Sequence, residues 1–133
     1  MKTAMNIGLW IAQGFLALIF IFQGFIKFAP PANLPAMLNW VYDLNTSAPV
    51  LSAFIGIVEL LAAAGLILPG LTRIQPRLTI WAALGLMIVM VLAAGYHVQR
   101  AEFASIGNNV FAFVLAALVA YGRARIVPIQ PRT

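Results

Sequence analysis

The few side chains able to do chemistry stand inside long apolar stretches. The 133-residue chain holds three carboxylates, one histidine and no cysteine. Glu59 is the only formal charge between residues 44 and 72, and it lies ten residues from both Pro49 and Pro69. At a rise of about 1.5 Å per residue, Glu59 lies about 15 Å from either end of a helix bounded by these prolines. An isolated charge at such a depth in a bilayer costs at least about 2.5 kcal/mol, so Glu59 must be paired or protonated.

Other polar side chains fall toward one end of the apolar stretches. If these stretches run up and down, the polar residues lie on the outer side of the bundle, with Glu59 beneath them. The candidate ligand-binding residues are Gln23, Lys27, Glu59, His97 and Asn109. A few polar groups that converge in an apolar setting are typical of small-molecule sites. The pattern therefore predicts a polar pocket that opens outward and has a carboxylate at its floor.

The same residues also have structural interpretations, which the sequence leaves open. Glu59 either binds a ligand or proton, or it is a structural group bonded to Gln13, Gln23 or Lys27. We expect a Glu59 carboxyl that is neutral or hydrogen-bonded to Gln13 or Gln23. Lys27 is expected two turns above Glu59, where its side chain would extend to the interface. For Gln23, His97 and Asn109, the structural alternatives to ligand binding are side-chain packing, helix capping and hydrogen bonding between helices.

The composition excludes several classes of protein and several kinds of site. Of the residues, 63% are hydrophobic and 8% are charged, whereas a soluble domain has about 25% charged residues. A soluble enzyme and a disordered chain are thereby excluded. The lack of cysteine excludes disulfides, thiol redox chemistry and iron–sulfur ligation, and one histidine with three carboxylates cannot form a metal cluster. We assign no catalytic residue.

Four apolar stretches are long enough to span a membrane, which takes about 20 residues. The predicted spans are residues 7–28, 50–70, 77–98 and 106–122. They predict a single all-α integral membrane domain over residues 1–133, an up-and-down bundle of four transmembrane helices. In the first loop, residues 29–48, we expect a short helix capped by Asn33, with Pro35 in its first turn, which either lies at the interface or forms a lid over the outer end of the bundle. Aromatic residues near the span ends are typical of interfacial belts: Trp10, Trp40, Tyr42, Trp81 and Tyr96.

The basic residues divide unequally between the two sides of the predicted bundle. The side with both termini holds six of them: Lys2, Arg73, Arg77, Arg123, Arg125 and Arg132. The other side holds Lys27 and Arg100. Because basic loops stay in the cytoplasm, this division predicts cytoplasmic termini and a basic cytoplasmic tail over residues 123–133. The net charge of +5 follows from topology, and no nucleic-acid partner is expected.

Two segments resemble the DoxX-like family. They are Gly24-Phe25-Ile26-Lys27-Phe28, which closes the first span, and Glu59-Leu60-Leu61-Ala62-Ala63-Ala64-Gly65-Leu66 in the second. Proteins of this family are small four-helix bacterial membrane proteins with a G-x-x-K pattern ending the first helix, and a glutamate followed by small residues and a glycine in the second. The resemblance extends from residue 7 to residue 122, and Lys27 and Glu59 are the polar positions that match.

The resemblance implies a location in the bacterial inner membrane and an accessory role. The family takes its name from a membrane subunit associated with quinone-linked thiosulfate oxidation. We therefore expect a binding or accessory subunit of a membrane redox system, with a non-covalently bound quinone or similar lipid in the pocket. The resemblance also implies a redox partner in the membrane or periplasm. The sequence leaves open whether the chain forms a homo-oligomer. Lacking cysteine, the chain departs from any relative that exchanges electrons through thiols.

Two other functional classes compete with this expectation. A membrane enzyme that isomerises or cyclises a lipid would use Glu59 as acid or base, with His97 as its partner. A small proton-coupled exporter would also use a membrane glutamate. The small multidrug exporters carry that acid in the first helix, whereas Glu59 lies in the second span.

Overall fold

The apolar stretches fold as helices because a backbone in lipid must satisfy its hydrogen bonds within its own segment. The computed structural model describes all 133 residues and contains no strand. The elements in chain order are α1 (Lys2–Phe28), a 3-10 turn (Ala36–Leu38), α2 (Trp40–Ser47), α3 (Pro49–Thr72), α4 (Leu78–Gln99), α5 (Phe103–Tyr121) and a π-helical turn (Gly122–Ile126) that continues α5. Helices α1, α3, α4 and α5 are long and apolar enough to cross a membrane. The predicted all-α membrane bundle is confirmed.

The four long helices run up and down and pack in a ring. Helix α1 packs against α3, α3 against α4, α4 against α5, and α5 closes the ring against α1. Half of the twelve core residues are alanines: Ala17, Ala63, Ala83, Ala112, Ala116 and Ala120. Large apolar side chains such as Phe54, Leu61 and Leu92 instead point outward. Small residues inside and large ones outside are typical of a bundle surrounded by lipid.

The structure differs from the sequence prediction mainly at element ends. Helix α1 begins at Lys2 rather than near residue 7, and α5 begins at Phe103 rather than near residue 106. In the first loop, the predicted cap at Asn33 is wrong, because α2 begins only after Asn39. The Tyr42 hydroxyl accepts a hydrogen bond from the Leu34 amide (3.2 Å) and donates one to the Pro31 carbonyl. These contacts hold the segment before α2 in an irregular conformation.

Helix α2 lies across one end of the bundle, and we call it the lid. Its apolar residues Val41 and Leu44 are buried. The carbonyl of Lys27, near the end of α1, accepts hydrogen bonds from Asn45 Nδ2 (2.8 Å) and from Ser52 Oγ (3.1 Å). A helix leaves its last carbonyls without partners, and these two bonds satisfy one of them. The lid is thus anchored to α1 and lies beside the start of α3.

A second contact fastens the lid to the turn between α4 and α5. Arg100 Nη2 donates to Asp43 of the lid, and Arg100 Nε donates to Glu102 Oε1 at 2.5 Å. The hydrogen bonds to Glu102 and Asp43 raise the pKa of the Arg100 guanidinium above its ordinary value. We call this end of the bundle the lid end. The opposite end, with Lys2, the α3–α4 loop (residues 73–77) and the residues after Tyr121, is the termini end.

Two glycines allow α1 and α3 to cross at the closest distance in this part of the bundle. A Cβ atom on Gly24 would lie 2.9 Å from the Gly56 carbonyl oxygen, and one on Gly56 would lie 2.9 Å from the Gly24 carbonyl oxygen. Both distances are too short for a side chain, so only glycine permits this backbone contact. Lys27 and Glu59 each follow one of these glycines by three residues. Because α1 and α3 are antiparallel, these two steps lead to opposite sides of the crossing. The long Lys27 side chain passes beside Gly56, where a Cβ would lie 3.3 Å from Lys27 Cβ, and reaches Glu59.

Replacing Gly56 with alanine should destabilise the bundle, because the added methyl meets the α1 backbone. We expect Gly56→Ala to lower the free energy of unfolding by about 1–3 kcal/mol, the usual cost of overpacking. Gly14→Ala is the matched control, since no atom lies within 4 Å of a Cβ there and alanine favours helix over glycine by about 1 kcal/mol. Thermal unfolding of both variants in one detergent checks this. Equal melting temperatures would contradict a crossing that requires glycine.

Candidate ligand-binding site

A cavity of about 700 Å³ lies beneath the lid, between the long helices. Of its 23 lining residues, 17 are hydrophobic. The structure brings all five sequence-predicted residues to its wall: Gln23, Lys27, Glu59, His97 and Asn109. Ligand sites typically measure about 300–1,000 Å³ and combine apolar walls with a few polar groups. The cavity has the size and lining of a small-molecule site.

Lys27 and Glu59 form a buried ion pair in the cavity wall. Lys27 Nζ lies 2.7 Å from Glu59 Oε2, and the two side chains are only 3% and 4% exposed. Lys27 Nζ also donates to the Gln23 carbonyl at 3.2 Å and lies 5.2 Å from the centre of the Trp40 ring. The ammonium is therefore well compensated. Glu59 accepts through Oε2 alone, and its other oxygen has no donor in the protein.

This pairing corrects two expectations about Glu59 and Lys27. Neither glutamine is the partner of Glu59. The Gln13 amide donates to the Leu66 carbonyl at 2.6 Å and accepts from Arg123, and Gln23 accepts from Lys27. Lys27 does not extend to the interface, because the glycine crossing brings α3 close enough for its ammonium to reach Glu59. The ion pair, one of the structural alternatives for Glu59, is the arrangement present.

An aromatic cluster closes the cavity at the lid end. The His97 ring packs edge-on against Trp40 of the lid (4.9 Å between ring centres) and against Tyr96 (5.3 Å). His97 Nδ1 lies 3.3 Å from Glu102 Oε1, and Nε2 makes no hydrogen bond. If Nδ1 carries the proton toward Glu102, Nε2 is a free acceptor at the cavity wall.

Sequence reasoning missed Trp40 and Tyr96 as cavity residues and assigned them to an interfacial belt. Both line the cavity. No signal in the sequence separates the two roles, because belt aromatics and lid aromatics occupy the same positions at the ends of spans. The position of Trp40 depends on how the lid folds back over the bundle, which local sequence does not specify.

Asn109, in the second turn of α5, has an amide nitrogen without a partner. Its Nδ2 atom is buried and makes no hydrogen bond in the protein. Leaving such a donor unsatisfied costs about 1–3 kcal/mol. Since Asn109 lines the cavity, this nitrogen is suited to a ligand oxygen of the carbonyl type. The free oxygen of Glu59 adds an acceptor on the same wall.

The geometry limits the chemistry available at this wall. No group of three or more His, Asp or Glu side chains is arranged to hold a metal ion. The Lys27 ammonium already has a carboxylate and a carbonyl as partners. The groups with free hydrogen-bonding capacity include Asn109 Nδ2, the second Glu59 oxygen and His97 Nε2. Such a set suits recognition of a flat or elongated apolar molecule with polar substituents at one end.

Fold and cavity define an integral membrane bundle of four helices with a cavity beneath its lid. A family model described as the DoxX-like family matches residues 11–119. The chain therefore belongs to the DoxX-like family, as the two sequence segments predicted. The match includes the lid and all five polar residues of the cavity wall. No curated protein and no solved structure matches the chain.

Removing either member of the ion pair should destabilise the bundle far more than removing both. A single Lys27→Met or Glu59→Leu substitution leaves a buried charge uncompensated, and we expect it to cost about 3–5 kcal/mol. The double variant replaces the pair with apolar side chains of similar volume, so most of that loss should be recovered. Unfolding of the three variants in detergent, compared as a double-mutant cycle, measures the coupling. If the double variant is no more stable than the less stable of the two single variants, Lys27 and Glu59 are not coupled.

Proposed function

We propose that this protein is a binding or accessory subunit of a membrane redox system, which holds a quinone-like or lipid ligand non-covalently beneath its lid. One observation carries the proposal: a 700 Å³ apolar cavity contains a buried amide donor, Asn109 Nδ2, without a protein partner. A preformed apolar site with one unsatisfied donor favours a mostly apolar ligand with a polar head.

The residues present fit a quinone head group. Asn109 would donate to a carbonyl oxygen, and Trp40 and Tyr96 would pack against the ring. Glu59 Oε1 and His97 Nε2, the atoms left free by their partners, would accept hydrogen bonds from hydroxyl substituents of the head group. A bound quinone would supply the redox chemistry, and this chain would bind it, orient it and exclude water.

The accessory role rests on the composition and the family. The chain has no cysteine for thiol exchange, so a partner in the membrane or periplasm would complete the redox system. The resemblance to a subunit of quinone-linked thiosulfate oxidation supports the same role. The alternatives, a lipid isomerase or cyclase and a proton-coupled exporter, have less support. Both need Glu59 to change its proton freely, yet its carboxylate is held by Lys27 at 2.7 Å.

Binding of a soluble quinone analogue should depend on Asn109. We expect decylubiquinone to quench the fluorescence of Trp40, which lines the cavity, and Asn109→Leu to weaken binding about 2- to 10-fold, the worth of one hydrogen bond. Gln99→Leu is the control, because this amide is exposed and lies outside the cavity. If both variants bind decylubiquinone like the wild type, the head group does not use this site. Mass spectrometry of the lipids that copurify with the protein tests whether the ligand is a lipid.

The proposed orientation places both termini in the cytoplasm of a cell with an inner membrane, because six of the eight basic residues lie at the termini end. The natural chain lacks cysteine, so single substitutions report topology directly. We expect a membrane-impermeant maleimide to label Asn33→Cys in intact spheroplasts. Thr133→Cys should react only after permeabilisation. Labelling of Thr133→Cys in intact spheroplasts would show that the termini lie on the other side of the membrane.

A further inference from the structure

A buried arginine lies at the termini end, away from the cavity beneath the lid. Arg123, in the π-helical turn, is 2% exposed. Its Nε donates to Gln13 Oε1 at 2.7 Å, and its Nη1 donates to Asn6 Oδ1 at 2.7 Å and to the Val127 carbonyl at 3.2 Å. The guanidinium carbon also lies 5.1 Å from the centre of the Trp10 ring. Every one of these partners is neutral.

Arg123 has no counter-ion in the chain. All three carboxylates are paired toward the lid end, Glu59 with Lys27 and both Asp43 and Glu102 with Arg100. Arg123 Nη2 is buried and has no hydrogen-bond partner at all. A buried charge without an opposite charge costs several kcal/mol, so such groups normally receive a partner. Two N–H donors of this buried cation are therefore without a partner in the chain.

A second cavity, of about 750 Å³, adjoins this guanidinium. Four arginines and two amide side chains line it: Arg73, Arg77, Arg123, Arg132, Gln75 and Gln130. The C-terminal segment forms one wall, because the Arg132 amide donates to the Arg73 carbonyl at 3.0 Å. Ile129 of the same segment packs so close to Gly70 that a Cβ there would lie 2.9 Å from it. The segment is thus seated on the bundle.

Membrane topology alone does not account for this arrangement. The positive-inside tendency requires basic residues on one side, and exposed ones satisfy it. Arg125 is such a residue, because it is exposed and does not line the cavity. Topology gives no reason to bury Arg123 without an acid, or to place three more arginines around the same space.

We propose that this cavity binds a phosphate group, with Arg123 as its buried anchor and Arg73, Arg77 and Arg132 around it. Guanidinium groups bind phosphate oxygens through paired N–H donors, so several arginines and no acid form a phosphate-selective setting. Either a phospholipid head group of the adjoining leaflet or a soluble phosphate presents this chemistry. The site is separate from the cavity beneath the lid.

The test uses the full chain in a non-ionic detergent without phosphate groups. Thermal unfolding is measured with inorganic phosphate against sodium chloride of equal ionic strength, and with phosphatidylglycerol against phosphate-free monoolein. We expect a rise in melting temperature of about 3 °C or more at saturation, because a ligand of the folded state stabilises it. A rise with both probes identifies soluble phosphate as sufficient, and a rise with phosphatidylglycerol alone identifies a lipid head group. No rise with either probe would overturn the site.

Charge-matched variants separate a specific site from general attraction to basic protein. Arg77 and Arg132 are exposed, so the double variant Arg77→Gln/Arg132→Gln should fold while its affinity for the effective probe falls at least about tenfold. Arg125→Gln also removes a nearby exposed charge but should bind like the wild type. Arg123→Gln should lose binding, and the exposed double variant tests the site even if that substitution prevents folding. An equal loss of affinity in Arg125→Gln and the double variant would show nonspecific attraction.

Discussion

The ion pair between Lys27 and Glu59 is the interaction on which the lid end depends. Burying either charge without the other would cost several kcal/mol, so α1 and α3 must stay close enough to keep the two groups together. Gly24 and Gly56 provide that closeness one turn away, through backbone contacts that no side chain permits. The carbonyl of Lys27 also accepts the hydrogen bond from Asn45 that anchors the lid, and a second one from Ser52 of α3. Helix crossing, charge compensation and lid therefore form one connected arrangement.

The cavity is a consequence of that arrangement. With Lys27 occupied by Glu59 and Gln23, the charged groups at the wall are largely neutralised, and a mostly apolar ligand can approach without separating charges. The groups with free capacity, Asn109 Nδ2 and one Glu59 oxygen, can orient a polar head. Trp40 lies over Lys27 and against His97. Movement of the lid would therefore uncover the charged wall and the aromatic wall together.

The sequence predicted the fold because long apolar stretches admit few alternatives in a membrane. It also selected five polar residues that line one cavity, since polar groups at similar depths of a small bundle must meet. Pairings within the set were harder to predict. Counting residues along each helix placed Lys27 two turns from Glu59, but it did not show that the long Lys27 side chain turns back toward Glu59, which the close crossing at Gly24 and Gly56 allows. The start of α2 was misjudged for a similar reason, since Tyr42 holds the preceding segment through contacts across the loop.

The two ends of the bundle balance charge in opposite ways. Toward the lid end, each of the three carboxylates has a cation of the chain as its partner. At the termini end lie six of the eight basic side chains and none of the acids. The Gln13 amide bonds to Leu66 of α3 and to Arg123 near the termini end, so it is not available to Glu59. A buried guanidinium bonded only to neutral groups has no opposite charge within the chain, so an anion from the membrane or the solution would balance it. The lid end thus favours a neutral ligand, and the termini end favours an anion.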